Sequence, residues 1–163
     1  MYKRQHEGRV VQSGKTAEVY HRPQQVLAAE LFSEPAINLM PGRISGSEVS
    51  FADCVHFPLN PDLRGIAEGE YRFGVRPSHI GLVPSNDDDL ELAVTVELAE
   101  ISGSETFLHV RNEQFVLVLH LPGVHEYAVD TPILIYIPTH KLFVFAADGQ
   151  LVQAPSRRQG RAA

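Results

Sequence analysis

The sequence predicts a mainly β protein: a small closed or nearly closed barrel, preceded by a short strand and two short helices. Three observations carry that prediction. First, after residue 38 short apolar stretches recur at roughly regular spacing, each bounded by Gly, Pro or Asp. Second, Leu90, Leu92, Val94, Val96 and Leu98 share one face of an extended segment while Glu91, Thr95 and Glu97 occupy the other. That alternation marks a half-buried antiparallel strand. Third, two strings break a strand sharply, Gly74-Val75-Arg76-Pro77-Ser78-His79-Ile80 and Ile101-Ser102-Gly103-Ser104-Glu105-Thr106-Phe107. The proline forces Arg76 into an extended conformation. In the second string a glycine and two serines interrupt a strand that resumes at once, so both strings read as barrel corners.

The elements follow in order. Gly8 to Gln12 reads as a short strand, broken by Gly14. Thr16 caps a helix with Glu18 in its first turn, where the helix dipole favours a carboxylate. This helix must stop near Arg22, because Pro23 follows. A second helix covers about Gln25 to Phe32, with Val26, Leu27, Ala29 and Leu31 available for burial, and Ser33-Glu34-Pro35 ends it. The expected strands are then Leu39 to Ile44, Val49 to Val55, Tyr71 to Val75, Ile80 to Val83 and Leu90 to Leu98. Phe115 to Leu121, Ile133 to Ile137, Leu142 to Ala146 and Leu151-Val152 complete the set, separated by Pro122-Gly123, Asp130-Thr131-Pro132, Pro138-Thr139-His140 and Asp148-Gly149. Closure accounts for the lack of a long bare edge strand. No internal repeat stands out.

Composition narrows the function. A chain of 163 residues with 44% hydrophobic and 21% charged residues is a globular domain plus a short extra segment. One cysteine, Cys54, excludes an internal disulfide framework and a cysteine-based zinc site, and points to a reducing cytoplasm. No apolar run approaches the ~18–20 residues that span a bilayer, and Met1-Tyr2-Lys3-Arg4-Gln5 has no signal-peptide core. A net charge of −6 argues against nucleic acid as a partner. The basic run Arg157-Arg158-Gln159-Gly160-Arg161 reads as part of a frayed tail.

Candidate chemistry is sparse. Gly14-Lys15-Thr16 is not a phosphate loop, because Arg9 stands where the required glycine would be. Asp87-Asp88-Asp89 lacks the spacing and glycine of a calcium loop and reads as a solvated hairpin tip. The histidines show no i, i+4 pair, although His109 and His120 could face each other across a hairpin. Ser102 and Ser104 lack the strand-to-helix elbow of a nucleophilic serine. Arg76 and Glu105 each flank a strand break, where side chains must satisfy unpaired backbone groups. Arg76 is expected to bond local carbonyls or to pair with Glu105, bracing the barrel.

Several of these strings in order resemble the C-terminal part of the ATP-binding subunit of a sugar importer, the maltose and glycerol-phosphate type of ABC transporter. They are Gly8 to Gly14, Glu18-Val19-Tyr20 with Arg22-Pro23, and Ser33-Glu34-Pro35-Ala36-Ile37-Asn38. Gly74-Val75-Arg76-Pro77, Gly103-Ser104-Glu105-Thr106, His109-Val110, Leu142-Phe143 and Asp148-Gly149 continue the series. The resemblance implies a division of the chain. Residues 1–35 would be the end of a nucleotide-binding domain, of which 1–5 read as a non-native start. Residues 36–153 would be a transport-associated OB-fold (TOBE) domain related to the molybdate-binding barrels, and residues 154–163 a disordered tail.

Such a domain regulates and dimerises. Its implied partners are a second copy of the ATP-binding subunit, a membrane permease and, in some members, a cytoplasmic regulatory protein. Its implied location is the cytoplasmic face of the cell membrane. The family's phosphate loop, signature motif, magnesium aspartate and switch histidine have no counterpart among these residues. The chain as given is therefore expected to be non-catalytic and to hold no metal or cofactor; ATP and magnesium belong to the full-length parent. The motif residues carried over are Gly74, Arg76, Pro77, His79, Gly103, Ser104 and Glu105, whereas Ser78 departs from the glutamate common in relatives. Two rivals remain from other classes. One is a free-standing barrel binding a small oxyanion, which the few basic residues between Tyr71 and Lys141 disfavour; the other is a hydrolase built on His109 or His120.

Overall fold

The computed structural model describes residues 2–6, 9–14 and 16–156. Gly8, the Lys15 of the rejected phosphate-loop string, and the basic run from Arg157 to Arg161 lie outside the described residues. The lead-in begins with two strands where one was expected. β1 (Tyr2–His6) pairs antiparallel with β2 (Arg9–Gly14). Lys3-Arg4-Gln5 has no apolar alternation to announce a strand, and pairing with β2 is what makes it one. The helix α1 (Thr16–His21) stops short of Pro23, and α2 (Val26–Leu31) starts from an extended Gln25.

The apolar face of α2 is covered. Val26, Ala28 and Ala29 are buried, and Val26 and Ala29 cluster with Ile37, Phe143, Phe145 and Ala154. The β domain itself supplies this surface, so the lead-in is not left with a bare helix face. Backbone bonds reinforce the docking, from the Val26 amide to the Gly149 carbonyl at 2.8 Å and from the Leu151 amide to the Gln24 carbonyl at 2.8 Å.

Ten strands follow: β3 (Asn38–Ser45), β4 (Glu48–Phe51), β5 (Val55–Pro58), β6 (Gly69–Val75) and β7 (Leu90–Ser102), then β8 (Glu105–Arg111), β9 (Val116–Pro122), β10 (Pro132–Ile137), β11 (Phe143–Phe145) and β12 (Leu151–Gln153). They form two antiparallel sheets, ordered β12-β11-β6-β3-β4-β5 and β10-β7-β8-β9. The sheets curl around one apolar core, in which Met40, Phe51 and Phe73 of the first meet Val94, Leu108, Leu119 and Ile135 of the second. The result is the mainly β, OB-fold-like half-barrel that the strand pattern predicts. No helix among the described residues is long and apolar enough to cross a membrane.

Three local readings need correction. The stretch from Val49 to Val55 is two strands, because Ala52 and Asp53 take positive φ angles of 48° and 55° and turn the chain back on itself. Ala52 is not a turn residue, and a single Asp53 is too weak a signal to announce that turn. Ile80 to Val83 is not a strand. Pro77–His79 forms a 3-10 turn, and Gly81 contributes only an isolated bridge to Tyr136. Leu98 leaves the face it was assigned to. A bulge between Val96 and Leu98 shifts the register against β8, and Leu98 is exposed.

Candidate functional site

The arginine-proline string sits where the lead-in meets the half-barrel. β6 runs beside β11, with Gly74 opposite Phe143. A side chain at Gly74 would meet Ile37 Cδ1 at 2.9 Å and Phe145 Cε2 at 3.1 Å, so only glycine lets these groups close over the strand. Arg76 is extended (φ −72°, ψ 140°), as the following proline demands, and Pro77 then opens the 3-10 turn. The amide of His79 closes that turn on the Arg76 carbonyl at 2.9 Å.

Arg76 is 1% exposed, the largest fully buried side chain among the described residues. Its guanidinium carbon lies 3.7 Å from the centroid of the Tyr20 ring and 5.3 Å from that of Phe143. Nη2 donates to the Tyr20 backbone carbonyl. Arg76 thus ties the end of α1 to the domain, through a cation–π contact and one charge-assisted hydrogen bond. Nε and Nη1 have no hydrogen-bond partner. Burial lowers the Arg76 pKa from its ordinary value, but a guanidinium keeps its proton at any physiological pH.

Above Arg76 an open cleft of about 1370 Å³ separates α1 from the barrel. His79, His140, Lys141 and Glu18 line it together with Arg76 and Tyr20. His140 and Lys141 belong to the 3-10 turn Thr139–Lys141, between β10 and β11. His79 is half-buried, its Nδ1 has no hydrogen-bond partner, and its pKa is lowered to about 4. Burial is the main cause, followed by the charges of Lys141, Arg76, His140 and His21.

The other predicted string is elsewhere in chemical terms. Gly103 and Ser104 are the two turn residues of the β7–β8 hairpin, in which Ser102 faces Glu105. Gly103 has φ 61°, which places glycine first in the turn, as a type II′ hairpin requires. This is a hairpin tip; the expected corner is absent here. The Glu105 carboxylate pairs with His120 at 3.0 Å, so it is not the partner of Arg76. The carbonyl that Arg76 does find is Tyr20's, 56 residues away.

His109 and His120 do not stand opposite each other. His109 faces Val118 and pairs with Glu100 at 2.7 Å, while His120 faces Phe107 and stacks on its ring at 4.8 Å. Among the described residues no group of three His, Cys, Asp or Glu could hold a metal. The Asp89 carboxylate is engaged by the Ser85 amide at 2.6 Å and the Ser85 hydroxyl at 2.7 Å. Burial would raise its pKa, but these bonds and those from Asn86 outweigh it and hold the value low.

Two features escaped the sequence reading. The pentapeptide Ile-Ser-Gly-Ser-Glu occurs at residue 44 and again at 101, and both copies make the same turn, with φ 60° at Gly46 and 61° at Gly103. A search for exact short repeats would have found it. Asn38 joins the two sheets: its side-chain amide donates to the Val118 carbonyl and accepts from the Val118 amide, each at 2.8 Å. No local pattern marks that contact.

No family model matches the chain. Over 145 residues, 85% of its length, it is 30% identical to the sn-glycerol-3-phosphate import ATP-binding protein UgpC of Paraburkholderia xenovorans, of which it covers 40%. It is 31% identical over 144 residues to the protein of the same name from Salmonella typhimurium, with 87% of the chain and 39% of that protein covered. A sulfoquinovosyl glycerol transport ATP-binding protein, SmoE of Agrobacterium fabrum, is 29% identical over 144 residues, 86% of this chain and 40% of that protein. The chain therefore spans about 40% of the length of the curated relatives it matches. The matched portion is their C-terminal part, as the order of the short strings predicts.

Proposed function

We propose that this chain is the non-catalytic regulatory and dimerisation portion of the ATP-binding subunit of an ABC importer for a carbohydrate or glycerol-phosphate-type solute. The observation that carries the reading is a match over nearly the whole chain to the C-terminal part of import ATP-binding proteins. In this reading residues 1–35 are the end of the nucleotide-binding domain, 36–153 the TOBE domain and 154–163 a tail. The chain contributes interface area and coupling, while ATP and magnesium bind in the parent's upstream domain. Its partners are a second subunit and a membrane permease, at the cytoplasmic face of the membrane, with a cytoplasmic regulator as a further partner.

Two properties of the fold support this. Of the described groups with shifted pKa values, Arg76 and His79 sit together at the cleft while Asp89 and Tyr136 lie elsewhere, and no nucleophile–base pair stands beside the arginine. Exposed large apolar residues concentrate on the four-stranded sheet and its connections, at Leu98, Ile101, Val116, Val124, Val129 and Leu134. The reading is tested by exchanging the C-terminal part of the Salmonella import protein for this chain and measuring ATP-driven uptake. A chimera that assembles and transports is the expected result. Assembly without transport contradicts the coupling role, and ATP hydrolysis by this chain alone contradicts the non-catalytic one.

A further inference from the structure

Two asymmetries of the chain fall on the same surface. The first is charge. Residues 81–138 hold ten Asp and Glu against one Arg and no Lys, a net of −9, whereas the other residues together hold thirteen Lys and Arg against ten Asp and Glu, a net of +3. Counting His109, His120 and His125 as cations would still leave the acidic stretch at −6. The second is exposed apolar area. Of the eight large apolar side chains exposed among the described residues, seven lie between Val83 and Leu134, and Val152 is the eighth. This stretch builds the four-stranded sheet β10-β7-β8-β9. On its outer face Leu98 stands beside His109 and His109 beside Val118, while Arg111 stands beside Val116. Carboxylates frame these groups, with Glu97 on Arg111 at 2.9 Å, Glu100 on His109 at 2.7 Å and Glu105 on His120 at 3.0 Å. Asp87, Asp88, Glu113 and Glu126 form no ion pair among the described residues and carry the surplus. The six-stranded sheet differs on both counts. Val152 is its one exposed large apolar group, and its charges are balanced, with Arg43 on Glu70 at 3.6 Å and His56 on Glu48.

We propose that the outer face of the four-stranded sheet binds a protein partner whose contact surface is basic and carries apolar side chains. The sign of the charge selects the class of partner. Nucleic acid and anionic membrane surfaces are repelled by it. A small cation would leave the apolar groups uncovered. A second copy brings the same surplus of carboxylates to the contact, and like charges across an interface oppose association, so self-association is the weaker use of this face. A cationic partner satisfies both asymmetries. Its apolar side chains cover Leu98, Val116 and Leu134, and Lys or Arg at the rim meet the carboxylates around them. The proposal rests on the reading of this chain as an interaction unit, and it gives the chemistry of a partner other than a second copy.

The test titrates the purified chain into short fluorescently labelled peptides and reads their anisotropy. The probe is a peptide of alternating Lys and Leu, with alternating Lys and Ser and alternating Glu and Leu as controls. Saturable binding of the Lys-Leu peptide, about tenfold or more tighter than either control and weakened by added salt, is the expected result. Loss of two apolar contacts in the double variant Leu98→Ser, Val116→Ser should weaken it about tenfold or more. The double variant Glu113→Gln, Glu126→Gln should flatten its salt dependence, and Val152→Ser, on the other sheet, should leave it unchanged. All five positions are exposed, and circular dichroism checks that each variant is folded. A Lys-Ser peptide that binds as tightly as Lys-Leu shows attraction to charge alone and overturns the proposal. Equal binding of the Glu-Leu peptide, or an affinity unchanged in Leu98→Ser, Val116→Ser, overturns it as well. A chain that binds the Lys-Leu peptide in this way but stays monomeric supports the proposal and contradicts the dimerisation reading, so the two fail separately.

Discussion

Arg76 shows how a buried cation can be held by aromatic rings without a carboxylate. The Tyr20 and Phe143 rings and the Tyr20 carbonyl hold it, and two of its nitrogens remain unpaired. Two substitutions separate its packing from its charge. Arg76→Ala leaves a void between the rings and should cost about 2–4 kcal/mol, read by urea denaturation. Arg76→Met keeps most of that volume and removes an uncompensated charge, so its midpoint should stay within about 1 kcal/mol of the parent. Equal losses in both variants would show that the charge itself braces the fold. His79 makes the same neighbourhood sensitive to pH. Its folded pKa of about 4 lies below the ordinary 6.5, because burial and the charges of Lys141, Arg76, His140 and His21 oppose protonation. The unfolded chain therefore binds a proton that the folded chain resists, so this contribution is intact above about pH 6.5 and is lost as pH falls towards 4. His79→Gln should flatten the fall in melting temperature across that window; an identical slope would contradict the assignment. Arg76 and Pro77 were legible in the sequence because proline restricts its neighbour. Tyr20 and Lys141 were not, because only the tertiary fold brings Tyr20 onto Arg76 and Lys141 near His79.

At the scale of elements, alternation and turn residues located most of the strands, and the misses have local causes. Ala52 belongs to a residue type that rarely takes positive φ, and Asp53 beside it is only a weak turn signal, so the Ala52-Asp53 turn was hidden. Ala52→Gly should accordingly raise stability by about 0.5–1 kcal/mol, visible as a higher melting temperature; a lower one would mean that the turn is not strained. The β7 bulge hides because a period of two cannot reveal a one-residue shift, which is how Leu98 came to be assigned to the core face. The two sheets meet through contacts of the same illegible kind. Asn38 on β3 supplies both halves of a backbone-like pair to Val118 on β9, across 80 residues of sequence. Asn38→Ala would leave a partly buried amide and carbonyl of Val118 on β9 without their partner, and should cost about 1–3 kcal/mol in chemical denaturation. A loss below about 0.5 kcal/mol would show that water or a neighbouring group replaces the bond.

For the whole molecule, the lead-in and the half-barrel are physically continuous. α2 packs on Phe143 and Phe145, Arg76 clasps α1, and one apolar core joins the two sheets. The sequence division near residue 35 is therefore bridged by packing, whatever the lead-in joins in the longer relatives. Fold class was readable from the sequence because many short strands with regular turns leave few architectures open. The seam was not readable, since it depends on residues far apart in the chain. The central functional claim is that this unit contributes an interface and no chemistry. Sedimentation equilibrium of the purified chain over a wide concentration range tests it most directly. The account predicts a reversible shift from monomer to twice the monomer mass, weakened by charged substitutions at Val116 and Leu134 on the four-stranded sheet. A chain that remains strictly monomeric at the highest concentrations would contradict it.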